Sequence, residues 1–270
     1  MKKNGINVPG ALILDGEVYV ETIKRSGIEK ELNDILSTLE KENVQTVSKQ
    51  IIALFDKAAL TGGTKLDISA HTNESKLYAV RSSCMVEDLK DFSFAGQYQT
   101  TLNVKKQDIA DRVIDCYRSM FSETVLSYLI DNNIDFTDYR MCVIIQEMVD
   151  ADYSGIAFTL NPATGNDKEM LIEVSEGLGE NIVSGKTKPE QYLYDWYDRH
   201  ENNRNSDNKL ISPEKLDEFS EVFSEVQQLF GVPCDIEFAV ADDKLYILQA
   251  REITKIQYQG IKDLWTTADF

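Results

Sequence analysis

The closing β pattern constrains this 270-residue chain more than any other sequence feature. Two runs of alternating apolar and polar residues, Cys234 to Val240 and Leu245 to Arg251, flank the stretch Ala241-Asp242-Asp243-Lys244. Two such runs separated by a few turn-forming residues predict a β-hairpin. The chain is therefore expected to contain an antiparallel sheet with one apolar and one polar face.

The polar face of this hairpin carries the first candidate site. Because side chains alternate along a strand, Asp235 and Glu237 share one face, and so do Gln249 and Arg251. If the loop has an odd number of residues, most simply Asp242-Asp243-Lys244, Glu237 lies opposite Gln249 and Asp235 opposite Arg251. The carboxylate and amide oxygens of Asp235, Glu237 and Gln249 would suit a hard cation such as Mg²⁺, and the guanidinium of Arg251 beside them would bind a phosphate. On spacing alone, a solvent-facing polar edge hairpin is the more frequent explanation.

The rest of the chain mixes helical and strand patterns, which predicts an α+β fold. Apolar residues at helical spacing predict helices at 28–39, 47–55, about 107–131 and 213–230. Strand patterns occur at 76–81, 100–104, 141–149, 155–160, 170–174 and 191–195. A chain of this length usually divides its core, and the expected division is 1–145, 146–258 and a tail at 259–270.

Composition excludes several classes of function. A net charge of −18 disfavours binding to nucleic acid or to an anionic membrane surface. No apolar run approaches the roughly 20 residues that a membrane span needs, and no signal-peptide pattern follows Met1. We therefore expect a cytoplasmic protein. Cys84, Cys116, Cys142 and Cys234 form no C-x-x-C pair and are expected to be reduced thiols, three of them in the core.

A second candidate site lies in residues 78–100. A strand ends near Arg81, and a long polar loop containing Gly96 leads to Thr100. Gly96 would let backbone amides approach phosphate oxygens closely, and Thr100 would add a hydroxyl donor. By pattern alone, a surface ion pair for Arg81 and an ordinary turn at Gly96 are more common.

Two further segments are less specific. Gln146 interrupts the apolar run Val143 to Val149, where it either caps a strand at the surface or presents its amide to a ligand. The stretch 173–185 places glycines near acidic residues but lacks both the Walker A lysine and the G-x-G-x-x-G spacing. The common phosphate-loop motifs are therefore absent from it.

Taken together, four segments in order resemble the nucleotide-binding domain shared by phosphoenolpyruvate synthase, pyruvate phosphate dikinase and rifampin phosphotransferase. They are residues 80–104, 146–165, 177–192 and the hairpin 235–251. The resemblance implies an ATP-grasp-like fold, in which two lobes with mixed or antiparallel sheets flanked by helices hold Mg-ATP. It also implies an ATP-dependent phosphotransferase similar to a pyruvate, water dikinase.

The resemblance gives each candidate residue a role at a nucleotide and Mg²⁺. It implies catalytic, phosphate-binding cations at Arg81 and Arg251, a loop over the phosphates at Gly96 and Thr100, and a nucleotide contact at Gln146. It implies metal residues at Glu237 and Gln249, with Asp235 as a supporting acid of the metal. Positioned cations and a metal are the means by which phosphoryl transfer is catalysed.

Two departures from the family qualify this expectation. The family has a lysine shortly before a G-I-x-V-P segment, and this chain begins almost at that segment, Gly5 to Pro9, so weak Mg-ATP binding is expected. The family also phosphorylates a histidine on a mobile domain, and neither His71 nor His200 lies in a matching segment. We therefore expect a fragment inactive alone, whose phosphohistidine and acceptor domains belong to the parent protein. A rifampin-phosphotransferase-like parent and a non-catalytic stand-alone nucleotide-binding module are the alternatives.

Overall fold

The structure is a computed structural model that describes residues 1–84, 100–132, 134, 140–177, 188–202, 210–253 and 256. The chain divides into a first unit, Gly10–Met148, and a second unit, Met1–Pro9 with Val149–Phe270. It thus crosses between the units twice, at 9/10 and at 148/149, whereas the sequence analysis placed one boundary at 145/146. The expected tail 259–270 lies outside the described residues.

Within its described part, the first unit combines six α-helices with a four-stranded antiparallel sheet. Its helices are α1 Gly16–Arg25, α2 Glu29–Leu36, α3 Val44–Leu54, α4 Gly62–His71, α5 Ile109–Ser119 and α6 Glu123–Asp131. Its strands are β1 Ala11–Leu14, β2 Leu77–Cys84, β3 Thr100–Lys105 and β4 Met141–Glu147, in the order β1-β4-β2-β3.

One face of this sheet packs on the helices. Tyr78 and Val80 of β2 and Val143 and Ile145 of β4 are buried in a core that includes residues of α1, α3, α5 and α6. Because the strands alternate, the residues that precede or follow these positions by one lie on the opposite face of the sheet. Arg81 and Gln146 are two of these residues.

The second unit contains a six-stranded antiparallel sheet and one long helix, among the residues described. Its strands are β5 Tyr153–Phe158, β6 Glu169–Glu176, β7 Glu190–Asp195, β8 His200–Glu201, β9 Cys234–Ala241 and β10 Lys244–Glu252, in the order β10-β9-β5-β6-β7-β8. Helix α7, Pro213–Phe230, covers one face, where Phe219 and Phe223 pack against Phe238.

Local signals fix the ends of α7 as the sequence predicts. Ser212 is the N-cap, and its hydroxyl accepts the N–H of Lys215 at 3.3 Å. Pro213 occupies the first turn, where a missing N–H costs nothing. Gly231 ends the helix with φ of 75°, a conformation that glycine adopts without strain.

The first nine residues belong to the second unit because they pack on its core and on β10. Ile6 is buried there, and the carbonyl of Asn7 accepts the N–H of Ile247 at 2.9 Å. After Pro9 the chain enters β1 of the first unit, which pairs with β4 from Ala11 to Leu14.

The expected α+β class with antiparallel sheets is confirmed. One predicted element was wrong, because the single helix expected at 107–131 is two helices, α5 and α6. The break falls where the Ser122 hydroxyl accepts the N–H of Val125 at 3.3 Å, which starts a new helix. Helices α1 and α4 and strand β1 were not predicted from the sequence.

The thiols and histidines are placed mostly as expected. Cys116 and Cys234 are buried free thiols, and Cys142 is a half-buried one; the side chain of Cys84 lies outside the described residues, so the expected number of three core cysteines stays a prediction. Burial raises the pKa of Cys116 to about 12 and that of Cys234 to about 11. His71 and His200 are exposed.

No helix among the described residues is long and apolar enough to cross a membrane.

Candidate functional site

Arg81 lies on the face of the first-unit sheet that is turned away from the helices. It is paired with Ile144 of β4 on one side and with Thr100 of β3 on the other. Its Nη1 donates to Oε1 of Gln146 at 3.4 Å, so the arginine and the glutamine share this face. The structure therefore brings together Arg81, Thr100 and Gln146, three residues singled out from the sequence.

A bulge decides which threonine lies beside Arg81. The pairing shifts between Tyr78–Val104 and Val80–Thr101, so Ala79 faces two residues of β3 instead of one. Asn103, one of these two, has φ of 58°, a left-handed conformation that asparagine tolerates better than most residues. Without the extra residue Thr101 would pair with Arg81, so the bulge is what places Thr100 there.

Gln146 is held close to the point where the chain leaves the first unit. It lies between Ala11 of β1 and Ala79 of β2, and the next residue, Glu147, donates its N–H to the carbonyl of Gly10 at 2.8 Å. The Glu147 carboxylate forms an ion pair with Lys76 at 2.6 Å. A Cβ at Gly10 would lie 3.0 Å from the carboxyl carbon of Glu147, so this position favours glycine.

In the second unit, the closing hairpin brings together the four residues expected from its alternation. Glu237 is paired with Gln249, and Asp235 with Arg251. The turn is not the one expected, because Lys244 pairs with Ala241 and only Asp242 and Asp243 connect the strands. Both connecting residues have positive φ, as a two-residue hairpin turn of this kind requires.

A second bulge compensates for this shorter turn. The register changes between Ile247, which pairs with Phe238, and Gln249, which pairs with Glu237, so Leu248 is the extra residue. If Leu248 were paired in regular register instead of bulged, it would lie opposite Glu237, and Gln249 would point into the core with Ile247. The predicted pairings are correct, but a bulge produces them, not an odd-numbered loop.

Arg251 and Asp235 form an ion pair with two hydrogen bonds across this hairpin. Nε and Nη2 of Arg251 donate to Oδ2 of Asp235 at 2.9 and 2.6 Å. The Asp235 side chain is 12% exposed and that of Arg251 is 36% exposed, so the aspartate is the more desolvated partner. The contact fixes the guanidinium on the face that carries Glu237 and Gln249.

The sheet register also reveals a residue that sequence analysis missed. Ile156 of β5 is paired with Glu237 on one side and with Glu173 of β6 on the other. Glu173 in turn pairs with Gln191 of β7, whose Nε2 donates to Oε1 of Glu173 at 2.7 Å. The alternation of residues 170–174 and 191–195 could have placed these two side chains on one face, but only with the strand order known.

Gly96 lies outside the described residues, as do 178–187 from the glycine-rich stretch. The candidate residues therefore fall into two sets, with Arg81, Thr100 and Gln146 in the first unit. The second unit holds Asp235, Glu237, Gln249 and Arg251.

A separate acidic group lies at the turn between β7 and β8. Asp195, Asp198 and His200 bring one possible ligand atom each to within 4.8 Å of one another. One oxygen of Asp195 accepts the N–H groups of Tyr197 and Asp198 at 3.0 and 2.8 Å, which closes the turn. These contacts account for the group as a turn, and the sequence signal for it is the spacing D-x-x-D-x-H.

Carboxylate and amide oxygens beside a fixed guanidinium are the groups that domains use for a phosphorylated ligand with a divalent cation. Comparison with known families makes the class specific. The model for the pyruvate phosphate dikinase AMP/ATP-binding domain matches residues 1–209 and 198–264. The chain belongs to this family of ATP-binding domains, and the resemblance expected from the sequence is confirmed.

Individual relatives agree with the family. A probable phosphoenolpyruvate synthase of Methanocaldococcus jannaschii is 28% identical over 290 residues, covering 94% of this chain and 24% of that protein. A rifampicin phosphotransferase of Bacillus cereus is 31% identical over 284 residues, covering 93% and 32%. The chain thus spans about a quarter to a third of the length of these two relatives. A D-alanine–D-alanine ligase structure from Helicobacter pylori is similar at a TM-score of 0.41, with 10% identity, covering 92% of this chain and 50% of that one.

Proposed function

We propose that this chain is the Mg-ATP-binding phosphotransferase domain of a phosphoenolpyruvate-synthase-like protein, which phosphorylates a histidine on a separate mobile domain. The observation that carries the proposal is the hairpin register, which sets Glu237 beside Gln249 and Asp235 beside Arg251. The family match supports ATP as the nucleotide.

The residues present fit a Mg²⁺ ion at Glu237 and Gln249. Their carboxylate and amide oxygens are hard ligands of the kind that Mg²⁺ prefers, and they come from directly opposed positions. Bound there with ATP, the ion would neutralise charge that develops on the phosphates. Asp235 already accepts both hydrogen bonds from Arg251 through one oxygen, so we assign it the supporting role of orienting that arginine.

In the first unit, the proposal assigns the phosphates to Arg81 and Thr100 and the nucleotide contact to Gln146. Arg81 carries a permanent positive charge on a face where Gln146 accepts one of its hydrogen bonds. A hydrogen bond from such a charged donor to a phosphate contributes about 1.5–3 kcal/mol. Phosphate binding is therefore expected to depend strongly on this one side chain.

Calorimetric titration of Mg-ATP into the wild-type chain and into Arg81→Ala tests the proposal. We expect the substitution to raise the dissociation constant about tenfold or more. Arg25→Ala is the matched control, because Arg25 is 69% exposed on α1 and pairs with Glu21. Equal affinities of the wild type and Arg81→Ala would contradict the phosphate role, and no binding by the wild type would contradict the ATP assignment for this chain.

The final acceptor is a second point of the proposal. Relatives named rifampicin phosphotransferase are as similar as those named phosphoenolpyruvate synthase, so an antibiotic-directed parent is the second candidate. Either parent supplies the histidine and the acceptor site from other domains. Steady formation of phosphoenolpyruvate from pyruvate and ATP by this chain alone would contradict both versions.

A further inference from the structure

A row of paired residues, four of the five polar, crosses five strands of the second-unit sheet on the face opposite α7. It runs from Gln249 on β10 through Glu237 and Ile156 to Glu173 and Gln191, each residue paired directly with the next. The assigned metal-side pair occupies one end of the row. The other end, Glu173 with Gln191, has no assigned role.

Glu173 has the features of an oriented hydrogen-bond acceptor. Gln191 donates to Oε1 of Glu173 at 2.7 Å, which orients the carboxylate, and no residue in the described part of the chain donates to Oε2. Glu173 is half-buried, so its carboxylate stays accessible to a ligand on this face of the sheet. A carboxylate cannot accept a hydrogen bond from a phosphate oxygen, because both are negatively charged acceptors.

Spacing relates this acceptor to the metal-side pair. Glu173 and Glu237 are both neighbours of Ile156, so their backbones are two strand spacings apart, about 10 Å. A nucleoside triphosphate bound with its terminal phosphates at Glu237 carries its ribose at the far end of the triphosphate chain. Ribose hydroxyls are donors, and acidic side chains bind them in other nucleotide-binding folds.

We propose that Glu173, oriented by Gln191, accepts a hydrogen bond from a ribose hydroxyl of the bound nucleotide. The inference rests on the proposed function, since it takes Glu237 and Gln249 as the metal-side end of the same ligand. It makes Glu173 a binding residue that distinguishes ribonucleotides from deoxynucleotides, and Gln191 a positioning residue.

The test compares the binding of Mg-ATP, Mg-2′-deoxyATP and Mg-3′-deoxyATP by calorimetry. We expect the wild type to bind ATP about tenfold or more tightly than at least one deoxy analogue, because a hydrogen bond to a charged acceptor is lost. Glu173→Ala should lower the affinity for ATP to that of this analogue, and it should leave the affinity for the analogue nearly unchanged. Gln191→Ala should reduce the same discrimination by a smaller factor.

Glu176→Ala is the matched control, since Glu176 is an exposed residue of the same strand and lies on the other face. Equal affinity of the wild type for all three nucleotides would overturn the inference, as would an equal loss for all three in Glu173→Ala. Mg-inosine triphosphate is titrated as a further ligand. If Glu173→Ala loses the preference for ATP over inosine triphosphate and keeps the preference for ATP over the deoxy analogues, Glu173 contacts the base, and the ribose contact is overturned. Absence of any ATP binding by the wild type would instead contradict the proposed function, and with it this inference.

Discussion

Arg251 directs two N–H groups at a single oxygen of Asp235, with Nε at 2.9 Å and Nη2 at 2.6 Å from Oδ2. The two residues are directly opposed on β9 and β10, so one backbone register fixes both ends of the contact. The guanidinium therefore keeps its direction before any ligand arrives.

Replacing Asp235 should weaken the binding of Mg-ATP through Arg251, although the charge of the arginine remains. We expect Asp235→Asn to raise the dissociation constant of Mg-ATP several-fold, because the guanidinium loses its charged anchor. Arg251→Ala should cost more affinity and also destabilise the fold by about 1–3 kcal/mol, since a mostly buried carboxylate loses its partner. Urea unfolding and ATP titration of both variants measure these effects. A more stable Arg251→Ala chain would show that the pair does not support the fold.

Deleting Leu248 should preserve the site, whereas adding a residue there should destroy it. Without Leu248 the two-residue turn and both strands match one to one, so Gln249 still lies opposite Glu237. An alanine inserted after Leu248 would turn Gln249 and Arg251 toward the core if a single bulge remains. Thermal melting and Mg-ATP titration of the two variants check this. Retained binding in the insertion together with loss in the deletion would contradict the role of the bulge.

Gly155 should be intolerant of any side chain. A Cβ at this position would lie 2.2 Å from the carbonyl oxygen of Glu173 and 2.7 Å from the Phe238 ring. We expect Gly155→Ala to destabilise the chain by about 1–3 kcal/mol in urea unfolding, as overpacking does. Gly62→Ala is the control, because nothing lies within 4 Å of its added Cβ, and it should be neutral or slightly stabilising. Equal stability of the two variants would contradict the close approach of β5 and β6.

Tyr194 should make stability depend on pH in alkaline solution. Its burial, together with a hydrogen bond to Asp217 at 2.6 Å, raises its pKa to about 12. An unfolded tyrosine titrates near pH 10, so the folded state holds the proton more tightly. The contribution of Tyr194 to the free energy of unfolding is complete below about pH 10 and is lost as the pH rises toward 12.

Unfolding of Tyr194→Phe at pH 7 to 11 tests this linkage. The variant should be less stable than wild type at pH 7, by about 0.5–1.5 kcal/mol for the lost hydrogen bond. The difference should shrink above pH 10. Tyr197→Phe serves as the control, because Tyr197 is 69% exposed. A difference that stays constant from pH 7 to 11 would contradict the raised pKa.

Sequence patterns predicted the strands of the site better than their connections. Alternation in the closing hairpin correctly placed Asp235 and Glu237 opposite Arg251 and Gln249, because only one register buries Ile236 and Phe238. The turn length was wrong, since a two-residue turn plus a bulge and a three-residue turn give the same pairing. Nothing in a residue pattern separates these two solutions.

Long-range neighbours were beyond the reach of the sequence for a different reason. Glu173 joins the row of Glu237 only because β5 lies between β6 and β9, an order that local patterns do not encode. Likewise, residues 1–9 join the second unit through a pairing of Asn7 with Ile247. The roles of Arg81, Thr100 and Gln146 remain predictions, although the structure places these three residues together.

The contact between Asn7 and Ile247 has a consequence for the order of folding during synthesis. The second unit is built from both ends of the chain, whereas the first unit is continuous from Gly10 to Met148. On the ribosome the first unit is complete and free to fold while β10 has yet to be made. Residues 1–9 are therefore synthesised before the first unit but find their partner only after it, and a nascent chain stopped before Ile247 would leave them uncovered.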